Sequence, residues 1–313
     1  MGGIGIVNNP RSRRNLHRPG MAQRLRARLD GAGEVVDAST PQELETAVRR
    51  FQAAGIELLG VNGGDGTGHQ VLTAVVRAYG DSSLPRLLLL RGGAMNTVAH
   101  GHGISGTPET ILKAVLEQRR RGIPLRTVER DLLSVQADGE PPRYGFIFGT
   151  GAVVTFLEAY YRGGDPSPHT AAWLMLRAIG SAVRNGPFAL SLMRRQQLRV
   201  ETDGEEWPDG SYLTLIAGTT PDIGLGFKAF NRCDEQPGFF HAVGITAPIL
   251  ALALALPGVR AGRPWRRRQA LDEVVRELLL VADRPRYSVD GDLYSAREQI
   301  RVSTGPGIEI VVP

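Results

Sequence analysis

Residues 1–120 alternate between short apolar segments and longer amphipathic ones, and this alternation constrains the fold more than any other feature. Four apolar segments are predicted to be strands, at 3–7, 34–37, 56–61 and 86–90. Each is followed by apolar residues at helical spacing, as in the series Val71, Leu72, Val75 and Val76. Buried strands that alternate with helices form a parallel sheet covered on both faces. We therefore predict a parallel α/β domain for residues 1–125.

The pattern changes near Pro124, where strand-like segments follow one another with turns between them. Examples are LLSVQAD, RYGFIFG, LRVETD, YLTLIAG and ELLLVAD. This density of short strands is typical of an antiparallel sandwich or barrel, and the sandwich is the form we predict. Two helical insertions are expected within it, at 153–184 and 246–256. The second predicted domain is thus β-rich and covers residues 126–313.

Composition excludes two common kinds of nucleotide site. The 313 residues carry a formal net charge of +5, and Lys113 and Lys228 are the only lysines. A Walker loop needs a lysine after its last glycine and a protein kinase needs a strand lysine, and neither pattern can be built around these positions. The single cysteine, Cys233, fits a reducing compartment. The first apolar segment is too short for a secretory signal, so we expect a cytoplasmic protein.

Three loops rich in glycine or asparagine follow predicted strands, at Asn8-Asn9, at 63–67 (GGDGT) and at 92–96. The carboxyl ends of parallel strands share one edge of the sheet, where ligands bind in such folds. Glycines between a strand and a helix expose backbone N–H groups at the positive end of the helix dipole, which favours an anion. A tight turn is the competing interpretation, and the strand before and the helix after favour a phosphate site.

These loops resemble the motifs of the diacylglycerol kinase catalytic-domain family of lipid kinases, which includes bacterial lipid kinases and sphingosine kinases. The family's NP.S motif is similar to residues 9–12, its GGDGT to 63–67 and its GT.N..A to 93–99. Its inter-domain acid is similar to Asp131 and its late DGE motif to 290–292. The resemblance implies a Rossmann-like, phosphofructokinase-like nucleotide-binding domain followed by a lipid-substrate domain.

The resemblance also implies an activity, namely transfer of the γ-phosphate of Mg-ATP to a lipid hydroxyl of a diacylglycerol-like or related lipid alcohol. Asp65 and Asp131 would organise Mg²⁺ through water, and Asp65 would thereby also serve catalysis. Asp292, with Asp290, would take the proton from the attacking hydroxyl. The residues implied at the nucleotide are Asn9, Ser12, Gly63, Gly64, Gly66, Thr67, Gly93 and Asn96.

Each implied role has a purely structural alternative. The Asp290-Gly291 pair is a frequent hairpin turn, Asp131 can simply begin a strand, and Asn96 can cap the following helix. Asn9 can be a turn residue before a proline. Three histidines have no further metal ligands in view and are predicted at surface or loop positions: His69, His100 and His102.

Four residues depart from the family pattern. Gln70 and Ala94 stand where the family usually has glutamate and threonine, and Gln236 where it often has an aspartate that helps to hold a structural Mg²⁺. Asp292 replaces the usual glutamate and is one methylene shorter. Two alternatives therefore stay open, an NAD-kinase-like kinase of soluble metabolites and a catalytically weak nucleotide- or lipid-binding regulator.

Residues 239–256 form the most apolar stretch, but His241 and Pro248 interrupt it, so we predict a strand and a helix rather than a membrane span. Arginines at 260, 263 and 266–268 surround Trp265 and can dock on anionic lipid headgroups or form a solvated loop. An apolar helical face near Trp173 can be core or can line an acyl-chain groove. We expect a lipid substrate, peripheral contact with the inner face of an anionic membrane and no nucleic acid, and we allow for a homodimer.

Overall fold

The computed structural model describes residues 3–164, 167–183, 188, 195–208, 210–266 and 270–313. Contacts divide the chain into two compact units. The first contains Met1–Arg130 together with Pro306–Pro313, and the second contains Asp131–Gly305. The last eight residues thus belong with the first unit, whereas the sequence-based division assigned everything after residue 125 to the second domain.

The first unit contains alternating strands and helices. In chain order they are β1 (Gly3–Asn8), α1 (Arg13–Leu16), α2 (Met21–Leu29), β2 (Gly33–Asp37), α3 (Pro41–Ala53), β3 (Ile56–Asn62), α4 (Asp65–Tyr79), β4 (Arg86–Leu89), α5 (Thr97–Gly101) and α6 (Pro108–Arg120). The strands pair in parallel in the order β2, β1, β3, β4. Their carboxyl ends, and therefore the three loops singled out above, lie along one edge of this sheet.

Local sequence chemistry explains where the longer helices begin. Thr40 caps α3, because its side chain accepts a hydrogen bond from the backbone N–H of Glu43 while the Glu43 carboxylate accepts from the Thr40 N–H. Pro41 occupies the first helical position, where a missing N–H costs nothing. A Thr-Pro pair at 107 and 108 starts α6 in the same way.

The second unit is built from strands with helices inserted. Its elements are β5 (Thr127–Ala137), β6 (Arg143–Gly145), β7 (Ile147–Thr150), α7 (Ala152–Arg162), α8 (Pro168–Val183), β8 (Gln196–Thr202), β9 (Glu205–Glu206), β10 (Gly210–Tyr212), β11 (Thr214–Gly218), β12 (Phe240–Ile245), α9 (Ile249–Arg260), β13 (Ala270–Val275), β14 (Glu277–Val281), β15 (Arg286–Val289), β16 (Asp292–Ser295) and β17 (Gln299–Val311). The first residues of β5 and the last residues of β17 belong to the first unit.

One antiparallel sheet of the second unit has the strand order β13, β12, β11, β7, β15, β16. Facing it are β8, β14 and the first part of β17, which also pair antiparallel. Side chains from both sets form one buried core, with Phe148, Leu215 and Phe240 from the first and Val200 and Leu280 from the second. The predicted fold class, a parallel α/β domain followed by an antiparallel β-sandwich with helical insertions, is confirmed.

The opposite face of the antiparallel sheet is covered by helices. Ile216 and Val243 from the sheet share a second apolar cluster with Val259 of α9 and Val153 of α7. The strand and helix predicted within 239–256 are β12 and α9. Among the described residues no helix is both long enough and apolar enough to span a bilayer.

The end of the chain differs from its prediction. The segments QIRVST and IEIVVP were expected as separate strands, but they form one strand, β17, that continues through Gly305-Pro306-Gly307. Its early residues pair with β14, and Ile310 pairs in parallel with Leu87 of β4. A proline lacks the N–H that a central strand would donate, yet it is accepted where no neighbouring strand needs that donor.

Candidate functional site

The loops after β3 and β4 are in direct backbone contact. A Cβ atom on Gly93 would lie 2.2 Å from the Cα of Gly64, and one on Gly92 would lie 2.7 Å from the side-chain oxygen of Asn62. The loop after β1 joins them, because the Arg14 N–H donates to the Gly92 carbonyl at 3.0 Å. Glycine is therefore needed at these positions because a side chain would prevent the close approach of the loops. The three predicted loops form one continuous rim.

Side chains join the loop after β1 to the start of α4. The side-chain NH2 of Asn9 donates to the hydroxyl of Thr67 at 2.8 Å, and the side-chain oxygen of Asn9 accepts from the Arg11 N–H at 2.9 Å. Ser12 donates its hydroxyl to the Asn9 carbonyl at 2.9 Å. The structure thus brings Asn9, Ser12 and Thr67 together. At Gly64, the N-cap of α4, no side chain caps the helix.

Asp65 has a partner that the sequence did not indicate. Its two carboxylate oxygens accept hydrogen bonds from the N–H groups of Thr97 and Val98, the first residues of α5, at 2.9 and 3.3 Å. Burial raises the pKa of Asp65, and the hydrogen bonds from Thr97 and Val98 oppose part of that rise. Asp65 therefore caps a helix that begins 32 residues further along the chain.

Asn96 holds its own loop together instead of capping α5 with its side chain. It has a left-handed backbone, with φ of 51°, and its side chain both accepts from the N–H and donates to the carbonyl of Gly93, each at 3.0 Å. The capping alternative for Asn96 is thus wrong in detail, because Asp65 satisfies the N–H groups at the helix start. Asn96 instead fixes the glycine that touches Gly64.

A buried asparagine network under the rim escaped the sequence analysis. The Asn62 amide donates to the side-chain oxygens of Asn8 and Asn15 at 2.6 and 3.1 Å, and all three residues are at most 5% exposed. Asn15 in turn donates to the Asn9 carbonyl at 2.7 Å. The sequence signal for this network was Asn62, a polar residue at the end of the apolar strand that precedes GGDGT. The network ties the ends of β1 and β3 to the loop and helix that follow β1.

The described residues provide no cluster of three or more His, Cys, Asp or Glu side chains that could hold a metal ion. In the second unit, Asp131 accepts a hydrogen bond from the Gly238 N–H at 2.9 Å, beside Gln236. His69 is 1% exposed within α4, so its predicted surface position is wrong. A Mg²⁺ ion held by the protein alone does not fit these residues. One carried by nucleotide phosphates needs only one or two carboxylates, often through water, and fits them better.

Asp290 and Gly291 form the two-residue loop of the hairpin between β15 and β16. Both have positive φ, 46° and 92°, as type I′ hairpin loops require. The Asp290 carboxylate accepts from the N–H groups of Phe146 and Ile147 at 2.8 to 3.1 Å and is buried. The predicted turn and the predicted carboxylate site are therefore one feature, and Asp290 fixes the hairpin against the junction of β6 and β7.

Asp292 is the first residue of β16 and remains partly exposed. Burial raises the pKa of Tyr294, and the negative charge of Asp292 raises it further, so the phenol stays neutral. The Arg143 guanidinium lies over the Tyr294 ring, 4.4 Å from its centroid. The hydroxyl of Tyr161 donates to the Gly291 carbonyl at 3.0 Å, which holds the turn just before Asp292. Of the two acids, Asp292 is the one at the surface of the second unit.

These arrangements offer two kinds of chemistry. The rim of the first unit combines glycine backbone with N–H groups at the start of α4 that no described side chain caps, and together these suit an anion. The hairpin of the second unit presents one accessible carboxylate on a fixed turn, which suits proton transfer.

Comparison with known proteins identifies the first unit. Residues 4–128 match the family model described as the diacylglycerol kinase catalytic domain. A comparison with curated protein sequences gave no match. The resemblance predicted from the motifs is thus confirmed for the part of the chain that carries the rim.

Solved structures share the fold over the whole chain. A diacylglycerol kinase from Bacillus anthracis str. Sterne has a TM-score of 0.65 at 11% identity, covering 100% of this chain and 97% of its own. A second structure from the same organism has a TM-score of 0.71 at 13% identity with the same coverage. Yeast NADH kinase in complex with NADH has a TM-score of 0.50 at 12% identity, covering 99% and 83%. At these identities the likeness concerns the fold alone.

Proposed function

We propose that this protein, whose residues 4–128 match the diacylglycerol kinase catalytic domain, is a kinase that transfers the γ-phosphate of ATP to a lipid alcohol. The observation that carries the proposal is the continuous rim, in which the loops after β1, β3 and β4 are joined by the Gly64–Gly93 contact. Phosphoryl transfer depends mainly on positioning and charge neutralisation, which such a rim provides.

In the first unit, we assign the nucleotide phosphates to the rim. Gly63, Gly64 and Gly66 would offer backbone N–H groups at the start of α4, and Thr67 would be oriented there by its bond from Asn9. Mg²⁺, when bound to the phosphates, supplies charge neutralisation, and Asp65 would meet it through water. The family resemblance implies a role in binding Mg²⁺ for Asp131 as well.

In the second unit, we assign Asp292 as the general base that takes the proton from the acceptor hydroxyl. Asp290 acts as a positioning residue, because its buried carboxylate fixes the hairpin that carries Asp292. The aspartate keeps the carboxylate chemistry of the family's usual glutamate, and the fixed turn determines where its shorter side chain reaches.

We further propose that α8 and α9 contact an anionic bilayer. Trp173 and Leu176 of α8 are 58% and 68% exposed, Leu254 of α9 is 78% exposed, and the two helices lie against each other. Arg177, over the Trp173 ring at 5.4 Å, adds positive charge beside these apolar side chains. Exposed aromatic and leucine residues flanked by arginine are typical of surfaces that lie on anionic lipid.

Trp265, the tryptophan among the arginines predicted to dock on lipid, packs against the protein. Trp265 donates its indole N–H to the Ala229 carbonyl at 2.9 Å and packs, partly buried, against the second apolar cluster. Arg267 and Arg268 lie outside the described residues. The proposed membrane surface therefore rests on α8 and α9 rather than on the segment around Trp265.

The membrane surface predicts a change in vesicle binding. We expect the double variant Trp173→Ala with Leu176→Ala to bind phosphatidylglycerol-containing vesicles at least about tenfold more weakly, because burying one such side chain stabilises by roughly 1.5–3 kcal/mol. Co-sedimentation with vesicles measures this. Leu16→Ala, which removes a 65% exposed leucine of the first unit, is the matched control and should bind normally. Equal binding by the double variant and the control would reject the surface.

A second candidate function is phosphorylation of a soluble nucleotide cofactor such as NAD(H). The fold that this chain shares with yeast NADH kinase motivates it, since the same α/β unit can serve either acceptor. The exposed apolar side chains of α8 and α9 favour the lipid acceptor.

Incubation with γ-labelled Mg-ATP separates the candidates. We expect label to enter the organic phase when the purified protein is given a total lipid extract, and to stay out of NAD(H) in the aqueous phase. Label in NAD(H) alone would replace the lipid proposal with the soluble-acceptor one. Nucleotide binding without transfer to either acceptor would favour a regulatory protein, which the departures at Gln70, Ala94 and Gln236 also motivate.

A further inference from the structure

Arg91 occupies a costly position on the rim. It follows β4 directly and has a left-handed backbone with φ of 58°. Five of the eight described non-glycine residues with positive φ are aspartate or asparagine, which tolerate this conformation better than arginine does. Glycine would adopt it without strain. Strained residues of this kind concentrate at ligand sites.

The Arg91 side chain also lacks the carboxylate partners that several other arginines of the first unit have among the described residues. Its Nε is buried without a hydrogen-bond partner, and no carboxylate pairs with it in the described part of the chain. By contrast, Arg24, Arg86 and Arg119 all form ion pairs with glutamates. A buried Nε–H group without an acceptor loses its hydration and makes no hydrogen bond in return.

A second arginine lies beside it. The backbone of Arg14 is bonded to Gly92, the neighbour of Arg91, and one Arg14 Nη donates to the Gly106 carbonyl at 3.3 Å. Burial lowers the pKa of Arg14, and the positive charges of Arg91 and Arg18 lower it further. Two guanidinium groups thus repel each other at the edge of the sheet where the phosphate loops meet. An anion between them would remove both the repulsion and the unmet hydrogen-bonding capacity.

We propose that Arg91, together with Arg14, binds a phosphate group of the nucleotide. This rests on the proposed use of a nucleoside triphosphate and adds two side-chain ligands to the backbone groups of the rim. Arginine then supplies the charge that lysine supplies in Walker loops, in a chain whose only lysines are Lys113 and Lys228. The phosphate of a lipid product has the same chemistry, and the experiment distinguishes the two sources.

The test is calorimetric titration of the full-length chain with ATP, inorganic triphosphate, adenosine and dihexanoyl phosphatidic acid. We expect Arg91→Gln to weaken ATP and triphosphate binding about 10- to 100-fold, the range for hydrogen bonds to charged groups, and to leave adenosine unchanged. Arg28→Gln removes an exposed arginine of α2 and should change none of these affinities. Arg91→Gly should lose the same affinity while melting at a higher temperature, because glycine relieves the backbone strain.

Several results would overturn the inference. These are wild-type ATP and triphosphate affinities in Arg91→Gln, an equal loss of adenosine binding, or no binding of phosphate compounds by the wild type. A loss confined to phosphatidic acid would reject the nucleotide as the source of the phosphate. Arg91-dependent ATP binding without lipid phosphorylation would reject the lipid kinase proposal and leave this one intact.

Discussion

Replacing Gly93 with alanine is expected to destabilise the first unit by about 3 kcal/mol or more, because overpacking commonly costs roughly 1–3 kcal/mol and here the obstacle is backbone. The new Cβ would lie 2.2 Å from the Cα and 2.9 Å from the N of Gly64. No side-chain rotation relieves this contact. The loops after β3 and β4 must separate, which also disturbs the Asn96 bonds to Gly93. The affinity of Gly93→Ala for ATP should also fall, because the same two loops form the proposed phosphate site.

The matched control is Gly68→Ala in the same unit. Gly68 lies in α4, and a Cβ there would meet no atom within 4 Å. Alanine should stabilise the helix by up to about 1 kcal/mol relative to glycine. Thermal and chemical unfolding of the two variants measure the contrast. If Gly93→Ala has the same melting temperature and free energy of unfolding as the wild type, the close approach of the two loops is not required for the fold.

The two aspartates of the β15–β16 hairpin should separate stability from catalysis. Asp292→Asn is expected to cost less stability than Asp290→Asn, because Asp292 is only partly buried and asparagine keeps the shape of its side chain. Its rate of phosphoryl transfer should fall by roughly 100-fold or more, the usual contribution of a general base. Asp292→Glu keeps a carboxylate and should retain more activity than the asparagine variant.

Asp290→Asn should have the opposite profile. Asparagine tolerates the left-handed backbone of the turn, so the substitution tests the carboxylate alone. Its neutral amide oxygen is a weaker acceptor for the Phe146 and Ile147 N–H groups, and its NH2 group replaces the second oxygen that the Phe146 N–H also approaches. Each hydrogen bond to a charged group contributes roughly 1.5–3 kcal/mol. We expect a loss of stability of about 3 kcal/mol. Full stability in Asp290→Asn, or full activity in Asp292→Asn, would contradict the assigned division of roles.

Much of the fold was predictable because the signals are local. The alternation of apolar strands and amphipathic helices predicted the parallel sheet, and the Thr-Pro pairs at 40–41 and 107–108 mark where α3 and α6 begin. The GGDGT loop was placed correctly after a strand and before a helix for the same reason. Hairpin chemistry likewise predicted the turn at Asp290-Gly291, where both residues have positive φ.

The partners of the polar side chains were not predictable. Asp65 caps a helix 32 residues away, and Asn62 bonds Asn8 across 54 residues. His69 is buried although histidine is often exposed, and Arg91 adopts a conformation that its residue type disfavours. Nothing within a few positions of these residues indicates such contacts, because they form only when separate strands align.

Periodicity, turn residues and helix caps act between neighbours along the chain. The amino-acid order was therefore sufficient for most of the elements and for the rim of glycine and asparagine loops, but not for the single long strand β17. Other features depend on the distance between residues that are remote in the sequence. They are the capping of α5 by Asp65, the contact of Gly93 with Gly64, and the lack of a carboxylate partner for Arg91 among the described residues. Those distances exist only after the strands have paired. They separate Asp290, which holds its hairpin, from Asp292, which remains accessible.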